Sequence, residues 1–268
     1  MSYIQYRVEN HVARIVLNHA PANALSLPMV ENLLAHLAEA RADDDVRAVV
    51  LESAIARRFS AGLDINIISG GHGESIHALL RKHYVELSEA QYHLGKPSIA
   101  AVNGAARAGG MTLAISNDVL IAGKSATFGY PEIDVGLIPA IHFGHLHRIV
   151  GKHRAFELLF TGRTFSAQEA CDLGLVSRVV DDDKVVDAAL ELAHAFAEKP
   201  PGIMKLARNA FMRATDTRSE ISHAVESFCS AINTDEARAG LAAFLDRKAG
   251  NSTADDPRFN AVVASSSR

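Results

Sequence analysis

Hydrophobic and polar residues alternate at the start of the chain. Tyr6 and Val8, and then Ala13, Ile15 and Leu17, recur with the period of two that places side chains on one face of a strand. Glu9 and Asn10 interrupt the alternation. The pattern therefore predicts two short strands joined in an N-terminal hairpin.

The next segments alternate between helical and strand-like patterns. Residues 27–41 repeat their apolar positions with helical periodicity, and residues 46–51 form an apolar, β-branched run typical of a strand covered on both faces. Strand-like runs follow at residues 98–102 and 119–122, with a glycine-rich turn and a helical segment from residue 111 between them. This alternation predicts an α/β fold in which helices cover the sheets.

The pattern changes after the strand-like run at residues 176–180. The remaining segments are helical in periodicity: residues 185–198, 202–213, 218–232 and 235–248. We therefore divide the chain into an α/β core, residues 1–195, and a C-terminal helical region, residues 196–268. Apolar side chains in this region favour either an oligomer contact or packing on the chain's own core: Phe228, Ile232, Leu241, Phe244 and Leu245.

Composition narrows the classes of function. The 268 residues carry 27 basic and 31 acidic side chains, a formal net charge of -4, without a Lys/Arg stripe of the kind that follows a nucleic acid backbone. No apolar run approaches the roughly 20 residues of a membrane-spanning helix. Cys171 and Cys229 lie far apart, so the sequence indicates neither a disulfide framework nor a Cys-based zinc site. We expect a soluble cytoplasmic protein that binds neither nucleic acid nor membrane.

Two turns of small residues offer backbone N–H groups to a ligand. Residues 59–64, containing Ala61 and Gly62, allow a ligand to approach the main chain closely. Residues 103–110 follow a predicted strand and open a helix, whose free N–H groups and dipole favour negative charge. Two such donors converging on one oxygen would form an oxyanion hole.

These turns belong to a larger set of ordered motifs. Residues 23–26, the two turns, and the segment 129–139 with its Pro131-Glu132 pair resemble the enoyl-CoA hydratase/isomerase family, also called the crotonase family. Residues 161–176 and the helix at 240–248 extend the resemblance over nearly the whole chain. The resemblance implies a crotonase-like spiral of ββα units with a C-terminal helical oligomerisation region, assembled as a homotrimer or a dimer of trimers.

The resemblance also implies roles for particular residues. The N–H groups of Leu63 and Gly109 would hold the carbonyl oxygen of an acyl-CoA thioester. Ala24, Leu25 and Ala61 lie where the family binds the adenine and pantetheine of coenzyme A.

Other candidate contacts to coenzyme A are cationic or lie in the last helix. Arg58 would contact a phosphate, and Phe244, Arg247 and Lys248 belong to a helix that reaches coenzyme A across a subunit boundary in relatives. A solvated surface is the alternative for the three cations.

The sequence departs from the family where hydratases use two glutamates to hold and deprotonate water. Glu132 matches one of them, and burial in the apolar segment that follows would raise its pKa. Thr112 replaces the other, and a threonine hydroxyl can bind water but cannot act as a base near neutral pH. Asp134 is at most a supporting residue.

A second departure follows Pro139, where many relatives have glycines. His142, His145 and His147 stand in a bulkier segment that should reshape the acyl pocket. No carboxylate or cysteine has matching spacing, so we expect no metal site, and His142 is a candidate auxiliary acid or base. In a third departure, Asn66 stands where relatives often carry a lysine near coenzyme A.

These residues predict an enzyme that stabilises a thioester enolate and moves one proton with Glu132. A single carboxylate suits isomerisation of an enoyl-CoA, and hydration requires Thr112 or His142 to position water. No cofactor is expected beyond the coenzyme A of the substrate. The alternative is a catalytically inactive CoA-ester-binding or scaffold protein with the same fold. The G-x-G-x-x-G and G-x-S-x-G motifs are absent, which disfavours a dehydrogenase and a serine hydrolase.

Overall fold

The computed structural model describes residues 3–70 and 73–248. Strands β1 (Ile4–Glu9) and β2 (Val12–Leu17) form the predicted antiparallel hairpin. A short strand, β3 (Ala24–Leu25), and helix α1 (Leu27–Ala42) follow, and β4 (Ala48–Ser53) then pairs in parallel with β2. The first predicted ββα unit is therefore confirmed, with β4 starting two residues later than the apolar run.

The other eight strands complete three sheets. They are β5 (Arg57–Ser60), β6 (Gly62–Leu63), β7 (Ser98–Val102), β8 (Gly104–Arg107), β9 (Val119–Gly123), β10 (Thr127–Gly129), β11 (Thr164–Ser166) and β12 (Arg178–Val180). The six-stranded sheet has the order β1-β2-β4-β7-β9-β12 and is parallel except for the hairpin. A four-stranded sheet, β11-β10-β8-β5, and the pair β3-β6 complete the set.

Helices cover these sheets. After α1 they are α2 (Ile65–Gly70), α3 (Gly73–Leu80), α4 (Leu87–Tyr92), α5 (Gly109–Ile115), α6 (Leu146–Val150), α7 (Lys152–Thr161), α8 (Ala167–Asp172), α9 (Val185–Ala197), α10 (Pro201–Ala214), α11 (Arg218–Ile232) and α12 (Asp235–Lys248). A π-helix joins α3 to α4 at Arg81–Glu86, and short 3-10 helices occupy Pro131–Val135, Ala140–Phe143 and Asp182–Lys184.

The inner strands of the six-stranded sheet, β2, β4, β7 and β9, are buried on both faces, as their apolar runs predict. Along β4, Val49 and Leu51 enter the main core, which includes the apolar face of α1. Ala48 and Val50 point to the opposite face, where α9 packs through residues such as Ala189. One strand thus supports two cores because its side chains alternate across the sheet.

Residues 65–70 and 73–92 form helices that the hydrophobic pattern did not predict. The helices are short, and Gly70 and Gly73 interrupt the pattern within them. The buried positions, including Leu79, Leu80, Tyr84 and Leu87, become helical only by packing between the main core and the C-terminal helices. Tertiary contacts therefore determine that this segment is helical.

The C-terminal helices pack on their own chain. Phe228 of α11 and Leu241 of α12 are buried in a cluster with Val135 and Ile141, and Phe244 packs partly against it. A Cβ on Gly240 would lie 2.5 Å from the carbonyl oxygen of Val135, so α12 contacts that segment backbone to backbone. Phe228 and Leu241 therefore pack in the chain's own core, and an oligomer contact by the helical region stays a prediction.

The α/β architecture with a helical C-terminal region is confirmed. Within residues 3–70 and 73–248, no helix has the length and apolar character needed to cross a membrane.

A buried ion pair joins α10 to the six-stranded sheet. Arg208 Nε donates to Asp118 Oδ2 at 2.8 Å, and Arg208 Nη2 donates to the Gln91 carbonyl oxygen at 2.8 Å. Asp118 also accepts from the Ser98 backbone N–H at 2.8 Å, just where β7 begins. The Arg208 side chain is only 5% exposed, so little solvent screens the pair.

We predict that Arg208→Met lowers the free energy of unfolding by about 3 kcal/mol, because it leaves the Asp118 carboxylate partly buried without its cation. Arg238→Met is the matched control, since Arg238 pairs with an Asp235 side chain that is 95% exposed. Its change should stay within about 0.5 kcal/mol. Urea unfolding of the variants measures both values, and equal destabilisation would contradict the prediction.

Candidate active site

The two predicted turns meet backbone to backbone. Strands β5 and β8 run in parallel, pairing Arg57 with Gly104, and a Cβ on Gly104 would overlap the Arg57 carbonyl group. The approach continues into the turns, where a Cβ on Gly62 would lie 3.0 Å from the Gly109 amide nitrogen. A Cβ on Gly109 would lie 3.3 Å from the Leu63 amide nitrogen. The amide groups of Leu63 and Gly109 are therefore neighbours.

The second turn contains the short strand β8 and a strained residue before α5 begins. Ala108 has φ +49° and ψ -121°, a conformation that costs a residue with a side chain about 1–3 kcal/mol. Its N–H is held by the Gly129 carbonyl oxygen at 3.1 Å. The unusual backbone turns the following peptide so that Gly109 becomes the first residue of α5, whose N–H has no acceptor inside the helix.

Residues 23–25 lie beside the first turn. Strand β3 pairs with β6 in parallel, Ala24 with Gly62 and Leu25 with Leu63. The Asn23 side chain is fully buried and donates to the Phe59 carbonyl oxygen at 2.9 Å. The predicted coenzyme A residues Ala24 and Leu25 are thus fixed directly against the candidate oxyanion turn.

Cationic side chains lie at the open side of the same turn. Ala61 and Arg58 are exposed. Arg107, at the end of β8, is half-buried and donates to the Thr127 carbonyl oxygen at 2.6 Å. Burial and the nearby Arg58 charge both lower the pKa of Arg107, so the two guanidinium groups are close. Arg107 was not among the predicted site residues, because its position became clear only from the pairing of β5 with β8.

Glu132 is buried in the 3-10 helix Pro131–Val135. Desolvation raises its pKa to about 7, with a smaller contribution from the negative charge of Asp134. Its Oε2 has no hydrogen-bond partner among the described residues. The charge of Glu132, after burial, also raises the pKa of Tyr84 and Tyr130, which places both phenols near the carboxyl group.

Thr112 lies one turn beyond Gly109 on α5. Its hydroxyl is buried and finds no hydrogen-bond partner in the described parts of the chain. Thr112, Tyr84 and His145 line one cavity of about 620 Å³, whose other walls include apolar side chains such as Ile115 and Leu175. The cavity has the size of a small-molecule site, and its described lining includes neither the two turns at Leu63 and Gly109 nor Glu132.

The three predicted histidines separate into two environments. His142 is buried and His145 is half-buried, with His142 Nδ1 3.3 Å from His145 Nε2, and desolvation lowers the pKa of both imidazoles. The His142 ring packs 4.4 Å from the Tyr130 ring, centroid to centroid. His147 instead faces solvent and bonds the Phe143 carbonyl oxygen. No group of three potential metal-ligating side chains occurs in the portion of the chain that the structure describes.

Sequence reasoning missed His83 and Tyr84. Both are buried in the π-helix, and His83 Nε2 lies 3.0 Å from the Gly109 carbonyl oxygen. The segment carried no predicted element, and a histidine in a short helix has no motif that distinguishes it. Only the packing of the π-helix against the second turn brings His83 close to Gly109.

Phe244 and Arg247, two of the candidate coenzyme A residues in the last helix, interact with residues of their own chain. Phe244 is partly buried in the cluster around Val135. The positive charge of Arg247 lowers the pKa of Asp134, opposing the effect of burial, so the two side chains are near each other. The side chain of Lys248 lies outside the described residues.

Comparisons with known proteins agree with this geometry. The family profile described as enoyl-CoA hydratase/isomerase matches residues 7–253. A probable enoyl-CoA hydratase of Bacillus subtilis is 34% identical over 252 residues, covering 92% of this chain and 97% of the relative. A short-chain-enoyl-CoA hydratase of Clostridium acetobutylicum is 32% identical, covering 90% of this chain and 93% of its own length.

Solved structures give the same result. An enoyl-CoA hydratase/isomerase from Xanthobacter autotrophicus Py2 superposes with a TM-score of 0.82 at 30% identity, covering 98% of this chain and 96% of that one. The enoyl-CoA hydratase from Bacillus anthracis has a TM-score of 0.75 at 32% identity, with 91% and 96% covered. The sequence profile, the relatives and the crotonase-type fold together show that this chain belongs to the enoyl-CoA hydratase/isomerase family.

Proposed function

We propose that the chain moves a proton on an enoyl-CoA thioester whose enolate oxygen is held by the N–H groups of Leu63 and Gly109. The observation that carries the proposal is the contact between the two turns, with the Leu63 amide nitrogen 3.3 Å from a Cβ built on Gly109. Preorganised backbone donors favour the charge that develops on a thioester oxygen, and losing one such donor typically costs about 3–4 kcal/mol of barrier height.

Glu132 supplies the proton transfer in this proposal. Its carboxylate removes a proton from C2 of a 3-enoyl-CoA, and the electron pair moves onto the thioester oxygen. Protonation of C4 by the same carboxyl group shifts the double bond and gives the 2-enoyl-CoA. A carboxyl whose pKa is about 7 suits both steps, because it gains and loses a proton readily near neutral pH.

Hydration is the second reaction open to this site. Thr112 and His142 would hold a water molecule for attack on a 2-enoyl-CoA, with Glu132 moving the proton. The unpartnered Thr112 hydroxyl beside a cavity supports this role, and burial keeps the His142 imidazole neutral by lowering its pKa. The relatives above are named hydratases, which keeps hydration beside isomerisation as a candidate.

The remaining proposed contacts bind coenzyme A, which is part of the substrate. We propose that no other cofactor is required. Ala24, Leu25 and Ala61 line the approach to Leu63, and Arg58 offers a cation for a phosphate. Phe244 and Lys248 complete the proposed contacts from α12.

We also propose a homotrimer or a dimer of trimers in the cytoplasm. Phe156 of α7 is 62% exposed and stacks on the exposed Phe160 ring at 4.2 Å. Ile203, Leu206 and Phe211 of α10 are also exposed. Such patches support association. Cys171 and Cys229 are free thiols, as a reducing compartment would keep them.

A catalytically inactive CoA-ester-binding or scaffold protein is the alternative. Thr112 in place of a glutamate favours it. The buried Glu132 favours an enzyme, because a buried carboxyl with an unpartnered Oε2 costs folding free energy that a pure scaffold has no need to carry.

We predict that Glu132→Gln lowers turnover about 100-fold to 10,000-fold while affinity for the CoA ester changes little, because the amide fills the site but cannot accept a proton. The assay is exchange of the C2 proton and product formation from a panel of 2-enoyl and 3-enoyl CoA esters in heavy water. Glu191→Gln, at an exposed carboxyl of α9, is the control and should retain turnover.

Thermal unfolding tests whether the Glu132→Gln variant is folded. Because the fold raises the pKa of Glu132, ionisation of this carboxyl destabilises the protein as pH rises through about 7. The glutamine variant should therefore unfold at no lower temperature than the wild type in mildly alkaline buffer.

Wild-type turnover in the Glu132→Gln variant would exclude Glu132 from the mechanism. An absence of C2 proton exchange in the wild type would favour the scaffold.

The pH dependence should follow the same carboxyl group. Glu132 accepts a proton first, so it must be ionised, and kcat/KM for a 3-enoyl-CoA should rise with pH to a plateau, with a midpoint near 7. A profile of initial rates across that range measures it. A rate that falls as pH rises through 7 would assign the acidic form of Glu132 to the first step instead.

A third prediction concerns Thr112. Thr112→Glu should raise hydratase activity on a short 2-enoyl-CoA, because it restores a second carboxylate beside the cavity. Thr112→Val, which keeps the shape but loses the hydroxyl, should lower hydration and leave isomerisation unchanged. Rates of water addition and of double-bond migration test both variants, and an unchanged hydration rate in Thr112→Glu would show that water does not enter there.

A further inference from the structure

An interruption in one helical run brings a buried histidine to the candidate oxyanion turn. Between α3 and α4, residues Arg81–Glu86 form a π-helix, a rare geometry that often marks functional sites. It buries His83 and Tyr84 side by side. His83 is fully buried, and its Nε2 lies 3.0 Å from the carbonyl oxygen of Gly109.

The tautomer of His83 follows from this contact. A carbonyl oxygen only accepts, so Nε2 carries the proton and donates. Burial lowers the pKa of His83 to about 4, so the imidazole is neutral near pH 7 and its Nδ1 is a bare acceptor. That Nδ1 is buried and has no hydrogen-bond partner within the described residues. The one side-chain hydrogen bond of His83 within the described residues is therefore to the oxyanion turn.

The position of the ring relates it to both donors. A Cβ on Gly109 would lie 3.0 Å from His83 Nε2 and 3.3 Å from the Leu63 amide nitrogen. The imidazole thus occupies the space beside Gly109 where the two turns meet.

We propose that His83 is a positioning residue whose N–H, donated to the Gly109 carbonyl, keeps the first turn of α5 oriented so that the Gly109 N–H points at the thioester oxygen. This inference rests on the proposed function, and it adds a residue that the family motifs do not contain.

The turn requires such a restraint for three reasons. Gly109 has no side chain to anchor it, the helix it starts has only 7 residues, and the preceding Ala108 holds a strained conformation. A hydrogen bond from outside the helix opposes relaxation of that strain. His142 acts on the preceding residue, since its imidazole interacts with the Ala108 backbone.

The test compares His83→Phe with His83→Gln. Phenylalanine keeps a flat ring and removes the donor, whereas the glutamine amide can reach the same carbonyl. We expect His83→Phe to lower kcat about 10-fold to 100-fold, the effect of a misplacement of about 1 Å, with little change in CoA-ester affinity. His83→Gln should recover most of the loss. His77→Phe, in the same helical run and half-exposed, is the control and should retain wild-type kcat.

A second measurement does not depend on turnover. The infrared carbonyl stretch of an isotope-labelled thioester shifts to lower frequency when an oxyanion hole polarises it, so His83→Phe saturated with a 2-enoyl-CoA should show a smaller shift than the wild type. A full shift in His83→Phe, or equal kcat losses in the phenylalanine and glutamine variants, would overturn the role of His83.

Failure of the proposed function has a different signature. A wild type that shows no C2 proton exchange and no carbonyl shift refutes the oxyanion hole, and the positioning role with it. Exchange in the wild type with a shift that His83→Phe retains refutes only the positioning role.

Discussion

The site depends on the direct packing of two stretches of main chain. Where β5 runs beside β8, Gly104 leaves no room for a side chain against Arg57, and the same close approach continues to Gly62 and Gly109. The relative position of the two amide groups is therefore set by backbone geometry rather than by rotamers. This explains how the chain can vary its side chains at Thr112 and at residues 140–148 while the meeting of the turns remains.

Glu132 acquires its chemistry from elements distant in sequence. The carboxyl sits in a 3-10 helix that α12 covers, and Gly240 allows that helix to contact the Val135 backbone. Phe228 and Leu241 complete an apolar cluster beside it. Desolvation by this cover raises the pKa of Glu132, so the C-terminal helices influence the acidity of the site. Removing water from a carboxyl is unfavourable, and the surrounding apolar contacts offset it.

The interior of the site is polar but nearly free of fixed charge near neutral pH. Burial lowers the pKa of His83, His142 and His145, which keeps the imidazoles neutral. The Tyr130 hydroxyl and Thr112 hydroxyl are buried without partners in the described chain. Each such group costs about 1–3 kcal/mol of folding free energy. Unpartnered polar groups suit the polar thioester that we propose as substrate. Contacts elsewhere, such as the Arg208–Asp118 pair, help to offset their cost in folding free energy.

Sequence patterns alone determined the N-terminal hairpin, the alternation of strands and helices, the four C-terminal helices and the family, because these depend on local periodicity and on motifs in order. The resemblance to the family also implied that Leu63, Gly109 and Glu132 share one site, and the structure brings Leu63 and Gly109 together. Tertiary structure decided the rest. Contacts between residues far apart in the chain produce three features: the helices at residues 65–70 and 73–92, the approach of His83 to Gly109, and the packing of α12 on the 3-10 helix that holds Glu132. Neither periodicity nor spacing encodes such contacts, because burial, and with it the pKa of Glu132, is a property of the packed molecule.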